Sequence, residues 1–208
     1  MRAVLAISGR AGRRFRAQID AGLATPGRVR LELPAPGKSI FVFVTANDRA
    51  TLLLPREGRV LRDAPPAATL EALAGISIAP DELRTILAGC GAGVAPPTAG
   101  RAHGSEWIAI DAGDTVHWLH QVGGAWQLAA SIRGSLDVRY SDYAAGRPST
   151  IRLRMLPREG QPNTDLTIRL SQVDINEPLE AAVFDVEIPA GATPLTLDEL
   201  RRSGPLGK

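Results

Sequence analysis

Apolar and polar residues alternate with a period of two along most of the chain, in short runs punctuated by Gly, Pro, Asn and Asp. This is the pattern of an antiparallel meander. In the first half Val4-Ala6-Ser8, Phe15-Ala17-Ile19-Ala21 and Val29-Leu31-Leu33 read apolar-in, with Arg14, Arg16, Gln18, Asp20, Arg28, Arg30 and Glu32 pointing out. Residues 40–44 (Ile-Phe-Val-Phe-Val) are apolar at every position, so this strand is expected to be covered on both faces. Short strands follow near 50–54 and 59–62, with Asn47-Asp48 and Glu57-Gly58 as hairpin turns.

The period then changes once. Leu70 and Leu73, and later Leu83, Ile86 and Leu87, fall at helical spacing and predict two short helices over 66–74 and 80–90. Pro66 and Pro80 suit first helical positions, Asp81 and Glu82 suit a first turn, and Gly75, Gly89 and Gly91 suit helix ends. Residues 91–104 show no period and predict a mobile loop. The meander resumes with Trp107-Ala109, Val116-Trp118-His120, Trp126-Leu128-Ala130-Ile132, Leu136-Val138-Tyr140, Ile151-Leu153-Met155 and Leu166-Ile168-Leu170. Gly123-Gly124 marks a tight hairpin, a last strand is expected around 183–188, and the tail 192–208 reads as partly helical.

About 11 or 12 strands with a small helical insertion predict an all-β fold in one domain over 1–208, because accumulated twist curls so wide a sheet toward a half-open barrel. Such a barrel is not filled by its own strand side chains, so a hydrophobic hollow closed by the helices is expected. Its walls are predicted to be Phe15, Ile19, Leu31, Leu33, Val42, Leu128, Ile132, Val138, Leu153 and Ile168. The lid is predicted to be Leu70, Leu73, Leu83, Ile86 and Leu87, within 66–90.

Composition narrows the function. At 44% hydrophobic and 22% charged residues the chain folds as a globular protein. All but Lys38 and Lys208 of the basic residues are arginines, scattered singly along the strands, and the net charge is +2, which gives no support to nucleic-acid binding. Weak attraction to an anionic membrane surface is compatible with it. A single cysteine precludes an internal disulfide. No stretch is apolar enough to cross a bilayer, and Met1-Arg2-Ala3-Val4 runs directly into a strand without a signal peptide, so the chain is expected either to be cytosolic or to have its true start upstream.

Candidate chemistry is sparse. Leu87-Ala88-Gly89-Cys90 spells a lipobox, but Asp81, Glu82 and Arg84 precede it, and Cys90 is expected to pack as a small apolar residue at a helix end. His117 and His120 are three residues apart on a strand and so face opposite ways, which argues against a shared metal ion; an exposed His117 and a half-buried His120 are expected. Ser105, His103 and Asp111 could be drawn as a hydrolase triad, yet no nucleophile elbow surrounds the serine. Gly89–Gly93 follows a helix and lacks the Lys-Ser/Thr of a phosphate loop. At least two of Trp107, Trp118 and Trp126 are expected in the core, and any arginine facing the hollow, with Arg14 to Arg30 as candidates, needs a partner there. No enzyme activity, cofactor or metal is called for.

The block Arg28–Val44 followed by Leu70–Gly89, with the phrase L-x-G-x-x-I-x-x-x-x-L-x-x-x-L-x-G, resembles LolB and related LolA-fold lipoproteins. The run Ser171–Leu179 with Phe184 and Ile188–Gly191 is similar to the closing strands of the LolA side of that superfamily. The resemblance implies an incomplete barrel with a helical lid, binding acyl chains of lipoproteins or other lipid on the periplasmic side of the outer membrane. It also implies handover from a periplasmic carrier, a monomeric state, and an anchor in a segment upstream of Met1. At the position where LolB-type members present a protruding leucine, this chain has Pro34-Ala35-Pro36-Gly37. Each methylene buried is worth about 0.8 kcal/mol, which suits transient carriage rather than permanent storage. The alternative on the same scaffold is a protein-interaction or lipid-sensing domain with a shallow hollow.

Overall fold

The two faces of one wide sheet organise everything else in the structure, a computed structural model that describes residues 1–11, 13–93, 95–156 and 164–203. Its first strands are β1 (Arg2–Ala11), β2 (Arg13–Ala24), β3 (Arg28–Leu33), β4 (Phe41–Ala46), β5 (Arg49–Leu54) and β6 (Arg59–Ala64). Two helices follow, α1 (Pro66–Ala74) and α2 (Pro80–Leu87). The meander continues with β7 (Ala99–His103), β8 (Trp107–Ala112), β9 (Thr115–Val122), β10 (Ala125–Arg133), β11 (Leu136–Ala144), β12 (Arg147–Met155) and β13 (Thr164–Asp174). A two-residue strand β14 (Thr193–Pro194) and a helix α3 (Leu197–Ser203) complete the described chain.

Among the described residues all fourteen strands belong to one open sheet, ordered β14-β6-β5-β4-β3-β2-β1-β13-β12-β11-β10-β9-β8-β7. Every neighbouring pair is antiparallel except β14 against β6. The sheet does not close, since β7 and β14 remain as its edges. This is the half-open barrel expected from the meander, with two additional strands. One of them, β7, lies in the segment expected to be a mobile loop, where Ala99–His103 pair with Trp107–Asp111.

Local chemistry explains the elements. Asn47 and Asp48 both take positive φ (51° and 57°), as do Gly123 and Gly124 (59° and 81°), the geometry of the two-residue turns that match strand twist. Pro66 and Pro80 open their helices, and Gly75 closes α1 in the left-handed region at φ 73°.

The inner face carries the main core, built from alternate strand residues such as Leu5, Ile19, Leu31, Phe43, Val138, Ile151 and Ile168. β1 enters it with Ala3 and Leu5, so the alternation there runs one residue out of step with the expected Val4-Ala6-Ser8. On the opposite face of β4, Val42 and Val44 join Leu53 and Val60 in a second cluster. Val186, Ile188 and Ala192 cover that cluster, which explains why β4 is apolar at every position from Phe41 to Val44.

The segment after β13 is therefore a strap. Its residues 181–184 form a single 3-10 turn where a strand was expected, and buried Phe184 packs against the sheet under the Arg28 guanidinium, 5.2 Å from the ring centre. Arg30 holds the strap by donating to the carbonyls of Val183 and Asp185. The chain then pairs with the β6 edge and re-enters the inner side, where Leu195 and Leu200 join the main core. The tail expected to be partly helical thus contains α3, and its last residues, 204–208, lie outside the described residues.

Candidate functional site

The lid is also a plug. Leu70, Leu73, Leu83 and Leu87 project onto the inner face together with Ile76 and Ile78 from the linker between α1 and α2. They leave an apolar cavity of about 90 Å³, below the few hundred Å³ typical of ligand pockets. The expected hollow is therefore largely filled, not by strand side chains but by the helices that were expected only to cover it. Ile86, the remaining lid candidate, is fully buried in the same core.

The predicted wall residues divide. Phe15, Ile19, Leu31, Leu153 and Ile168 line the cavity. Leu33, Leu128 and Val138 pack in the same core at a greater remove. Val42 and Ile132 are corrections. Val42 faces the outer cluster, because its neighbours Phe41 and Phe43 take the inward positions of β4. Ile132 pairs with Asp137 on the outer face, because β10 carries a bulge between Leu128 and Ala130 that shifts the alternation by one residue. The bulge keeps Leu128 inside while bringing Ser131 and Arg133 inside instead of Ala130 and Ile132.

A larger opening adjoins the cavity. A groove of about 740 Å³ runs between β2–β5 and the helices α1 and α3, with Leu33, Ile40, Leu54, Leu195 and Leu200 among its apolar residues. Phe15, Phe41 and Leu73 border both groove and cavity and form the partition between them. Arg16, Arg56 and Arg59 stand at its rim. Of the loop Pro34-Ala35-Pro36-Gly37, all but Ala35 are exposed, and Arg56 clasps it by donating to the carbonyls of Pro36 and Lys38.

Polar latches hold α2 across the concavity. The backbone N–H of Gly27, in the β2–β3 turn, donates to both carboxylate oxygens of Asp81 at 3.1 and 3.2 Å. On the far wall Arg133 donates through Nε and Nη2 to Glu82 at 2.9 and 2.7 Å, and Gly93 N–H donates to the same carboxylate at 3.1 Å. The inward arginine is thus Arg133, outside the candidates Arg14 to Arg30, and its partner is a lid carboxylate. Thr164 on β13 donates to the Gly75 carbonyl at the end of α1, so close that a Cβ at Gly75 would lie 2.5 Å from the Thr164 hydroxyl.

The remaining candidates do not converge. His117 is half-buried on the inner face, where Nδ1 and the Ser131 hydroxyl lie 2.8 Å apart, and burial lowers its pKa below the ordinary histidine value. His120 is on the other face, stacked on Trp107 with centroids 4.3 Å apart. His103 packs on Trp118, Asp111 pairs with Arg101, and Ser105 is exposed in a turn, so the drawn triad does not assemble. Trp107 and Trp126 are exposed and Trp118 half-buried, correcting the expectation of core tryptophans. Cys90 is exposed rather than packed. Among the described residues no cluster of candidate metal ligands occurs, and no helix is long and apolar enough to cross a membrane.

No protein-family model matches the chain, and no curated protein matches it in sequence. Among solved structures it is similar to a LolA superfamily protein from Nitrosomonas europaea, at a TM-score of 0.57 and 12% identity, covering 89% of each chain. The fold is LolA-like. At that identity the likeness concerns the fold, and this LolA-like sheet carries its helices as a plug rather than as a distant cover.

Proposed function

We propose that the protein binds acyl chains of lipoproteins or other lipid, without catalysis, in the groove between β2–β5 and α1/α3. One observation carries this reading: an open groove of about 740 Å³, apolar toward its floor and charged at its rim, is separated only by Phe15, Phe41 and Leu73 from a cavity whose lining is wholly apolar. The groove lies in the size range of ligand sites, and the cavity does not. A chain therefore starts in the groove and extends inward by displacing lid side chains, trading their apolar contacts for its own at about 0.8 kcal/mol per methylene. The cost of that exchange includes loosening the Glu82–Arg133 latch. Because burial is offset by lid displacement, binding is reversible, as transfer requires.

On this reading residues 1–208 act as one lipid-binding unit, and the LolA-like fold favours work in the bacterial envelope in support of outer-membrane lipoprotein localisation. The test is titration of the purified chain with a long-chain fluorescent fatty acid, with unlabelled palmitate as competitor. Saturable, competable uptake is expected. Uptake that does not saturate, or that palmitate fails to displace, would overturn the reading.

A further inference from the structure

Strand register collects arginines that are far apart in sequence onto one surface. Side chains next to the inward Leu5, Ile7, Phe15, Leu153, Leu166 and Ile168 face the outer side of the sheet. Across five strands one outward row therefore reads Arg14, Arg10, Asp165, Arg154, Asp137. The next reads Arg16, Ser8, Thr167, Arg152, Arg139, and Arg169 stands one row further along β13. The aspartates are enclosed within the band: Arg152 grips Asp165 at 2.8 and 2.6 Å, and Arg139 and Arg154 both donate to Asp137. Seven guanidinium groups against two carboxylates exceed the +2 of the whole chain, so positive charge is concentrated here and the rest of the chain is net acidic.

We propose that this outer band docks the protein onto an anionic lipid bilayer, the acidic phospholipid head groups being its ligands. Four observations favour a membrane. The cations form a two-dimensional lattice, about 5 Å apart between strands and 7 Å along them, rather than the single stripe that follows a nucleic-acid backbone. These rows hold no aromatic side chain on which a base could stack. Arg16 borders both the outer basic cleft, of about 460 Å³, and the apolar groove, so a bilayer held by the band lies beside the groove mouth. Exposed Leu156, two residues past Arg154 at the end of β12, adds an apolar contact next to the cations. The docking rests on the band alone; only the delivery of a chain into the groove rests on the acyl-binding reading above.

The experiment is flotation of the full chain with vesicles of phosphatidylcholine alone or mixed with phosphatidylglycerol. Partitioning is expected to rise with the phosphatidylglycerol fraction and fall with salt, since exposed charges are screened beyond about 10 Å at 0.1 M. Arg10→Gln/Arg14→Gln/Arg169→Gln, three exposed positions away from the groove, is expected to lower partitioning about a hundredfold, at about fivefold per arginine. The matching lysine variant keeps the charge and is expected to keep binding. Fatty-acid uptake by the glutamine variant stays at the wild-type level; loss of vesicle binding alone identifies the band as the docking surface. Equal binding to both vesicle types, an undiminished glutamine variant, or tighter binding to duplex DNA at the same ionic strength overturns the proposal. Vesicle binding by a chain that takes up no fatty acid sustains the docking and refutes the acyl reading instead.

Discussion

Glu82 of α2 and Arg133 of β10 form a two-bond ion pair, with the Glu82 side chain only 8% exposed, that joins the lid to the wall across from the β2–β3 turn. Arg133→Ala leaves this carboxylate buried with, among the described residues, only the Gly93 N–H to hold it. Breaking a buried pair from one side costs about 3 kcal/mol or more, whereas replacing both partners can be nearly neutral. Urea unfolding is therefore expected to show a loss of about 3 kcal/mol for Arg133→Ala and a smaller one for Glu82→Gln/Arg133→Met, in which the amide oxygen still accepts from Gly93. If the double variant is as unstable as the single one, Glu82 and Arg133 do not act as a pair.

Leu73 tests whether a bound chain crosses from groove to cavity. It is 6% exposed and lines both spaces. Leu73→Trp narrows the junction while leaving the groove surface apolar. Denying a bound chain even two methylenes of burial forfeits about 1.6 kcal/mol, a roughly tenfold loss of fatty-acid affinity. Unchanged affinity in a folded Leu73→Trp protein would place the chain elsewhere.

The period-two and period-three-to-four patterns made the sheet and both lid helices legible, because each element buries one face and the spacing records which one. Inward positions on β2, β3, β12 and β13 follow directly from that alternation. It failed where the backbone departs from regular pleating: the bulge near Ala129 exchanges Ile132 for Ser131 and Arg133, and nothing in Trp126–Arg133 announces it. Val42 failed for a different reason. In Phe41–Val44 every residue is apolar, so parity carries no information until the strap over Val42 and Val44 is seen. The basic band was hidden because its rows depend on long-range register, as with Arg10 beside Asp165. One missed feature was readable: Thr196-Leu-Asp-Glu199 is a capping box, and it does open α3.

His117 makes stability depend on pH. Its ring sits beneath Gly91, where a Cβ would come within 2.7 Å of the imidazole, and burial holds its pKa below the ordinary value. The unfolded chain, with a histidine near about 6.5, then binds the proton more readily than the native state. Stability contributed by the neutral ring is complete above that value and is lost as pH falls through it toward the lower native pKa. Urea midpoints of wild type and His117→Asn are expected to diverge progressively below about pH 6.5, with the wild type falling faster. Parallel curves would mean that the ring is as easily protonated folded as unfolded.

The α3 helix flanks the groove: Leu200 lines it, and the first turn of α3 is fixed by a reciprocal cap. The Thr196 N–H donates to Glu199 at 2.8 Å, Glu199 N–H donates back to the Thr196 hydroxyl at 3.2 Å, and Arg59 pairs with the same carboxylate. The Thr196 backbone bond, followed by the Arg59 bond, lowers the Glu199 pKa to about 2. A depressed native pKa means that the cap is fully formed above the ordinary glutamate value and is lost only as pH falls toward about 2, so α3 stays docked through mild acid. Thr196→Ala removes the hydroxyl acceptor at a cost of about 1 kcal/mol to the helix. Hydrogen exchange of the α3 amides is expected to accelerate severalfold in this variant, with exchange in β13 unchanged and fatty-acid uptake faster. Acceleration across both segments would mean that the cap supports the whole fold rather than the mouth of the groove.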